Sequence, residues 1–215
     1  MLILASASPR RRELLSRLGL PFEVLAPQID EKLEGAPPSR LARRLAATKA
    51  TAVAVQRPDA TVVAADTVVA YRGVLFGKPE DPDEARVILS LLRGRTHRVT
   101  TAVAVQPPRR VETPGWGVST LVDHVVTVVR MRRYTDEEIA ASIARGDPFD
   151  KAGAYAIQDP LLRPVESYDG CYCNVVGLPL WTTVRLLGRA GVDITHVTAS
   201  GLLPQCVTCP LAPVI

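Results

Sequence analysis

Apolar residues fall along the chain in short runs whose spacing switches between strand-like and helix-like periods, and this predicts an interleaved α/β order. Residues 2 to 5 are apolar throughout and read as a short buried strand. Ser8 then supplies an N-cap, Pro9 suits the first helical position, and residues 10 to 18 form a helix that stops at Gly19. A second helix follows Ser39 and runs to Gln56. Leu41, Ala42, Leu45 and Ala52 share one stripe of it, and Arg40, Arg43 and Arg44 lie opposite. Residues 61 to 70 are a continuous apolar, β-branched run, hence a buried strand, which the Arg72-Gly73 turn returns as a hairpin. Asp81-Pro82 opens a third helix ending at Gly94, and two β-rich stretches follow at 98 to 105 and 118 to 129. Thr135 with Glu138 makes a capping box for a fourth helix ending at Gly146. Residues 154 to 158 read as a strand and 178 to 190 as a last helix. The fold class expected is α/β, a mixed twisted sheet with flanking helices.

Composition narrows this little, but charge sharpens it. The 215 residues are 47% apolar and 22% charged, which suits one large domain or two closely packed lobes and argues against disorder. Residues 199 to 215, uncharged throughout, are broken by three prolines, so no membrane span is expected. An apolar start followed by Arg10-Arg11-Arg12 is the reverse of a signal peptide, and the expected compartment is the cytoplasm. Of the 26 basic residues only four are lysine: Lys32, Lys49, Lys78 and Lys151. In a chain that defaults to arginine, those positions are candidates for places that need a compact point charge and not a planar fork.

Candidate chemistry gathers at three kinds of position. The strand–loop–helix from Leu4 to Arg12 presents a helix N-terminus, a natural anion site. Arg10, Arg11 and Arg12 in its first turn oppose the macrodipole at about 0.3–1 kcal/mol each unless an anion lies nearby. Lys49 falls on the apolar stripe of the second helix, as a snorkelling side chain or as an ammonium reaching a buried anion. Asp66 interrupts an apolar strand, where an ionised carboxylate costs several kcal/mol unless paired or metal-bound. Glu31 offers a second carboxylate for Mg²⁺. Lys78 and Lys151 sit in the Gly-containing loops Gly77-Lys78-Pro79 and Lys151-Ala152-Gly153. Together these features describe a polyphosphate–Mg²⁺ site, while the absence of G-x-x-x-x-G-K-[ST] and G-x-G-x-x-G motifs removes support for kinase, GTPase and dinucleotide-binding readings.

The same segments resemble, in order and across residues 1 to 190, the successive motifs of the Maf family. They are the stretch from Leu4 to Arg12, Ile29-Asp30-Glu31, the Asp66-Thr67 strand, Gly77-Lys78-Pro79, the run from Asp150 to Gln158, and Val176-Gly177-Leu178-Pro179-Leu180. The resemblance implies a fold akin to inosine triphosphate pyrophosphatases, with two lobes around a cleft. It implies Mg²⁺- or Mn²⁺-dependent cleavage of a nucleoside triphosphate to the monophosphate and pyrophosphate, a house-cleaning activity on the nucleotide pool. Arg11, Thr67 and Gln158 match the branch acting on dTTP and UTP, with modified pyrimidine nucleotides as further substrates. The branch acting on 7-methyl-GTP carries a tryptophan after the serine that this chain lacks. The implied roles are Glu31 and Asp66 for the metal, and Asp66, Glu31, Lys49 and Lys78 for catalysis. Ser8, Arg11, Arg12, Thr67, Lys151 and Gln158 would bind substrate. Ala141-Ser142-Ile143 departs from the family pattern, in place of an expected tyrosine.

Residues 1–200 are expected to form one catalytic domain, and 201–215 a tail with a cysteine pair. Cys171, Cys173, Cys206 and Cys209 are candidates for a structural Zn²⁺ site or a disulfide, against reduced thiols as the plain expectation. A homodimer is compatible with the sequence; nucleic acid and membrane are not expected partners. Two other function classes stand beside the enzyme. A nucleic-acid-binding module would use the arginine clusters, but aromatics are only 5% and a net charge of +4 is modest for this length. A nucleotide-binding regulator of cell division is the other.

Overall fold

The computed structural model describes residues 1–29, 36–109 and 119–213. Its frame is a seven-stranded mixed sheet in the order β2-β1-β3-β5-β6-β7, with β4 paired to β3. Strand β1 (Leu2–Leu4) runs parallel to β2 (Glu23–Val24) and to β3 (Thr61–Tyr71). From β3 onward the ladders are antiparallel, through β5 (Thr96–Gln106), β6 (Leu121–Met131) and the edge strand β7 (Val165–Asp169). Strand β4 (Val74–Phe76) returns from the Arg72-Gly73 turn, as the sequence predicts.

β3 reads as one apolar run because it is buried on both faces. Its Val62, Ala64 and Val68 join the core beneath α2 (Pro38–Gln56), with Leu41, Ala46 and Val53. Its Val63 and Ala65 join the opposite core, formed with α1 (Pro9–Ser16), α5 (Tyr172–Val176) and α6 (Leu180–Arg189). Helices α3 (Pro82–Leu92) and α4 (Asp136–Ala144) close a third core at the far end of β3 and β5. The capping box of Thr135 and Glu138 is present at α4, and Asp81 caps α3 through the Glu84 N–H. Helix α2 begins one residue before Ser39, with Pro37 as its cap.

Several expectations need correction. Residues 154 to 158 are not a strand: Gly153 and Ala154 take φ of 74° and 64°, and two successive left-handed residues turn the chain out of any extended path. Strand β7 escapes the sequence pattern because four of its five residues are exposed and polar or aromatic, leaving no apolar run to read. Residue 118, where the second β-rich stretch is expected to start, lies outside the described residues.

The last segment packs against the α1/α6 core. Leu202, Cys206 and Cys209 are buried there, and the Trp181 indole N–H donates to the Cys206 carbonyl at 3.0 Å. Helix α7 (Pro204–Val207) holds Cys206. All four cysteines are buried free thiols, with Cys173 Sγ 3.5 Å from Cys206 Sγ. The zinc expectation is corrected here: among the described residues no group of three His, Cys, Asp or Glu side chains is placed to hold a metal ion. The thiols bond to one another, Cys171 with Cys173 and Cys209, and Cys173 with Cys206. The hydrogen bond from Cys173 holds the Cys171 thiol down to about 6, whereas burial pushes Cys209 up to about 11.

Candidate active site

The site lies at a gap in the edge of the central strand. β1 covers one edge of β3 at residues 61 to 63, and β4 covers the same edge from Val69 to Tyr71. Between these ladders no described strand pairs with that edge, because the chain leaves β1 after Ala5, whose N–H donates to the Val63 carbonyl at 2.7 Å. Ser6 and Ser8 shape the exit: the Ser8 N–H donates to Ser6 Oγ at 3.2 Å, and Ser8 Oγ caps α1 through the Arg11 N–H. A cleft of about 770 Å³ opens at this gap and reaches both faces of β3, so that Asp66 and Thr67, adjacent in sequence and opposite in direction, both line it.

On the α2 side, Lys49 Nζ donates to Asp66 Oδ1 at 2.6 Å, and each residue is only 5% exposed. The inward lysine and the strand carboxylate, read separately from the sequence, are partners. Such a pair is weak support for stability, since desolvating both charges offsets much of their attraction. Its presence at the wall of a cleft, and not deep in a core, points to chemistry.

On the other face, Arg11 Nε donates to the Gly177 carbonyl at 2.9 Å, and an Arg11 terminal nitrogen donates to Thr67 Oγ1 at 3.1 Å. Gly177 turns there with φ of 123°, a conformation that favours glycine. Behind Thr67 lies a buried polar chain. Thr67 Oγ1 is 3.0 Å from Thr101 Oγ1, and Thr101 Oγ1 donates to the Asn174 carbonyl at 2.7 Å.

The two lysine loops meet at the mouth. The Gly153 N–H donates to the Gly77 carbonyl at 2.9 Å, and a Cβ on Gly153 would press on both Val69 methyls at 3.0 Å. Lys151 Nζ donates to the Asp147 carbonyl and, at 2.5 Å, to Asp150 Oδ1. Asp150 also accepts from Arg10 at 2.7 Å. Burial alone would raise the Asp150 carboxyl, but the hydrogen bonds from Lys151 and Arg10 outweigh it and hold the group below its ordinary value. Lys78 and Gln158 are exposed at the rim.

The predicted residues thus separate. Ser8, Arg11, Lys49, Asp66, Thr67, Lys78, Lys151 and Gln158 all line the cleft, whereas Arg12 is exposed on α1 and does not. Glu31 lies outside the described residues. Asp150 and Tyr155 also line the cleft with no role assigned from the sequence, and so does Arg10, which the sequence marks only with Arg11 and Arg12 as a first-turn cation beside an anion. Asn174 carries the signal that exposed Asp66, a polar residue in an apolar stretch, and could have been found by it. Among the described residues, five cationic and three acidic side chains line the cleft, so with the α1 N-terminus beside them the arrangement suits a polyanion.

Tyr155 is held from behind by His97, whose Nε2 lies 2.7 Å from the phenol oxygen. His97 is 3% exposed, its Nδ1 has no partner among the described residues, and burial lowers its pKa from 6.5 to about 4. Between those values the unfolded chain binds a proton that the folded one refuses, so stability falls as the pH drops through this window. The loss amounts to about 3 kcal/mol by pH 4. Denaturant midpoints from pH 7 to 4 should therefore fall less steeply in His97→Gln, which cannot titrate; equal slopes would refute the assignment.

The description Maf-like protein is that of the family model matching residues 1–190. A dTTP/UTP pyrophosphatase of Thermomicrobium roseum is 58% identical over 214 residues, covering 99% of this chain and 94% of the relative. One of the same description from Moorella thermoacetica is 48% identical over 195 residues, 90% of this chain and 96% of that one. Among solved structures, a nucleoside-triphosphatase (dITP/XTP pyrophosphatase) of Mycobacterium abscessus is 19% identical, with a TM-score of 0.37, over 61% of this chain and 74% of its own. A family match beginning at the first residue and running through every cleft segment, together with relatives this similar over nearly their whole length, establishes that the chain belongs to the Maf family.

Proposed function

We propose that this protein is a nucleoside triphosphate pyrophosphatase that cleaves dTTP and UTP to the nucleoside monophosphate and pyrophosphate. The observation that carries the reading is the Asp66–Lys49 pair at the wall of a cleft whose mouth holds Lys78, Lys151 and Arg10. The descriptions of the relatives point to the same reaction.

Asp66 takes the proton of a water attacking the α-phosphorus. A P–O bond forms to that water, the bond to the bridging oxygen breaks, and pyrophosphate leaves. Lys49 holds the carboxylate in one direction and compensates its charge where water cannot. The cations at the mouth and the N–H groups at the start of α1 bind the phosphates and stabilise charge developing on the leaving group, the larger share of such catalysis. Arg11, Thr67 and Gln158 face the base. The donor chemistry suits a divalent cation: Asp66 brings carboxylate oxygens to the cleft, and Mg²⁺ is typically held by one or two carboxylates with substrate phosphates. Asp66, with Glu31, would hold Mg²⁺ or Mn²⁺, which when bound neutralises phosphate charge.

The test is a panel of canonical and modified nucleoside triphosphates with Mg²⁺ or Mn²⁺, scored for pyrophosphate against phosphate. UTP and dTTP should release one pyrophosphate per nucleotide and leave the monophosphate. Release of phosphate instead, preference for 7-methyl-GTP, or binding without turnover would each overturn the proposal.

A further inference from the structure

We propose that Thr101 sets the direction of the Thr67 hydroxyl proton, so that Thr67 meets the base as a hydrogen-bond acceptor and selects nucleobases that offer an imide N–H. The inference rests on the pyrimidine triphosphate reading and deepens it. Thr101 is fully buried and does not line the cleft, so its role is that of a positioning residue.

The argument is a count of protons. A threonine hydroxyl has one proton to give and two lone pairs. Thr101 gives its proton to the Asn174 carbonyl at 2.7 Å. In the 3.0 Å contact between the two threonine oxygens, Thr67 is then the only donor left. Thr67 Oγ1 also accepts from Arg11 at 3.1 Å. One lone pair remains on Thr67 for a ligand, and no proton.

The far end of the chain prevents reversal. The Asn174 side chain is oriented without ambiguity, because Oδ1 accepts from the Thr101 N–H at 2.9 Å while Nδ2 donates to the Val99 carbonyl at 3.0 Å. A flipped amide would set donor against donor and acceptor against acceptor. Nδ2 also donates to Thr127 Oγ1 at 2.8 Å, and that hydroxyl is itself bonded to the Cys171 backbone. Turning the Thr101 proton toward Thr67 would take it from a carbonyl in a residue with 0% exposure, and a buried acceptor that loses its donor is costly. The network is thus closed on the side away from the cleft and polarised toward it.

Uracil and thymine carry a proton on N3, whereas cytosine has a bare lone pair there. An acceptor-only Thr67 matches the first two and sets lone pair against lone pair with the third. The test compares kcat/KM for UTP and CTP in the wild type, Thr101→Val and Thr101→Ser. The wild type should favour UTP by about tenfold or more, as expected where a polar site meets a mismatched ligand. Thr101→Val keeps the shape, removes the acceptor of the Thr67 proton, and should cut that ratio several-fold. Thr101→Ser should restore it. The ratio does not depend on the folded fraction of the preparation, so a merely structural loss would not move it. Should the valine variant not fold at all, 3-methyl-UTP answers the same question in the wild type, where it should be at least about tenfold poorer than UTP. An unchanged ratio in Thr101→Val, or 3-methyl-UTP cleaved as well as UTP, overturns the inference while leaving UTP pyrophosphatase activity intact. A wild type that releases no pyrophosphate from any pyrimidine triphosphate overturns the underlying reading, and this inference with it.

Discussion

Asp66→Asn should lower UTP turnover by about a thousandfold, near the upper range for removing a general base, while leaving the fold in place. Asparagine has the volume of aspartate and keeps an oxygen to accept from Lys49 Nζ, so the 2.6 Å contact between α2 and β3 survives. What it lacks is a basic oxygen to take the water's proton. The substitution also replaces one charged acceptor of the Lys49 ammonium, 5% exposed, with a neutral one, and that should cost about 1–3 kcal/mol of stability. Turnover and unfolding midpoint measured on one preparation separate the two effects: a collapse in kcat with a modest shift in midpoint is expected. Wild-type turnover would remove Asp66 from the mechanism, and a protein that does not fold would mark the residue as structural.

Lys49→Met should be the most destabilising single change in the cleft. Methionine fills the same slot between α2 and β3 but takes the Lys49 ammonium away from the Asp66 carboxylate. Removing one member of a buried ion pair costs about 3–5 kcal/mol. Turnover should fall as well, because nothing then holds the carboxylate in direction. The double variant Lys49→Met with Asp66→Leu separates stability from activity. An apolar pair of similar size is often as stable as the ion pair it replaces, so the double variant should recover most of the unfolding midpoint and none of the activity. Recovery of neither would mean that the cost came from packing; recovery of turnover would exclude the pair from catalysis.

Most of the secondary elements were legible locally. The β-branched run of β3, the caps of α1, α3 and α4, and the hairpin at Arg72-Gly73 each depend on residues within a few positions of one another. The failures have causes that lie outside the local sequence. Residues 154 to 158 look like a strand by composition, but left-handed conformations at Gly153 and Ala154 are imposed by a distant contact, the bond to the Gly77 carbonyl. β7 is polar because it is an exposed edge, so periodicity had nothing to report.

The candidate site divides along the same line. Asp66 and Lys49 declare themselves in the sequence because a charge in an apolar run or on an apolar stripe is expensive, and the expense is visible without knowing the partner. That each is the other's partner was settled only when α2 packed on the even face of β3. The anion-ready start of α1 could be read from Ser8 and Pro9. Which arginines enter the cleft could not, and α1 packs so that Arg10 and Arg11 do while Arg12 faces outward.

The direction of the Thr67 proton lies furthest from the sequence. It depends on Arg11, Thr101 and Asn174, drawn from a helix, a neighbouring strand and a short helix more than 160 residues from the first. Propensity and period are properties of neighbours along the chain, and they sufficed for the element order and for charges out of place. Sheet register, helix docking and hydrogen-bond polarity are properties of neighbours in space. Those decided that misplaced charges and ordinary threonines became one site at the uncovered edge of β3.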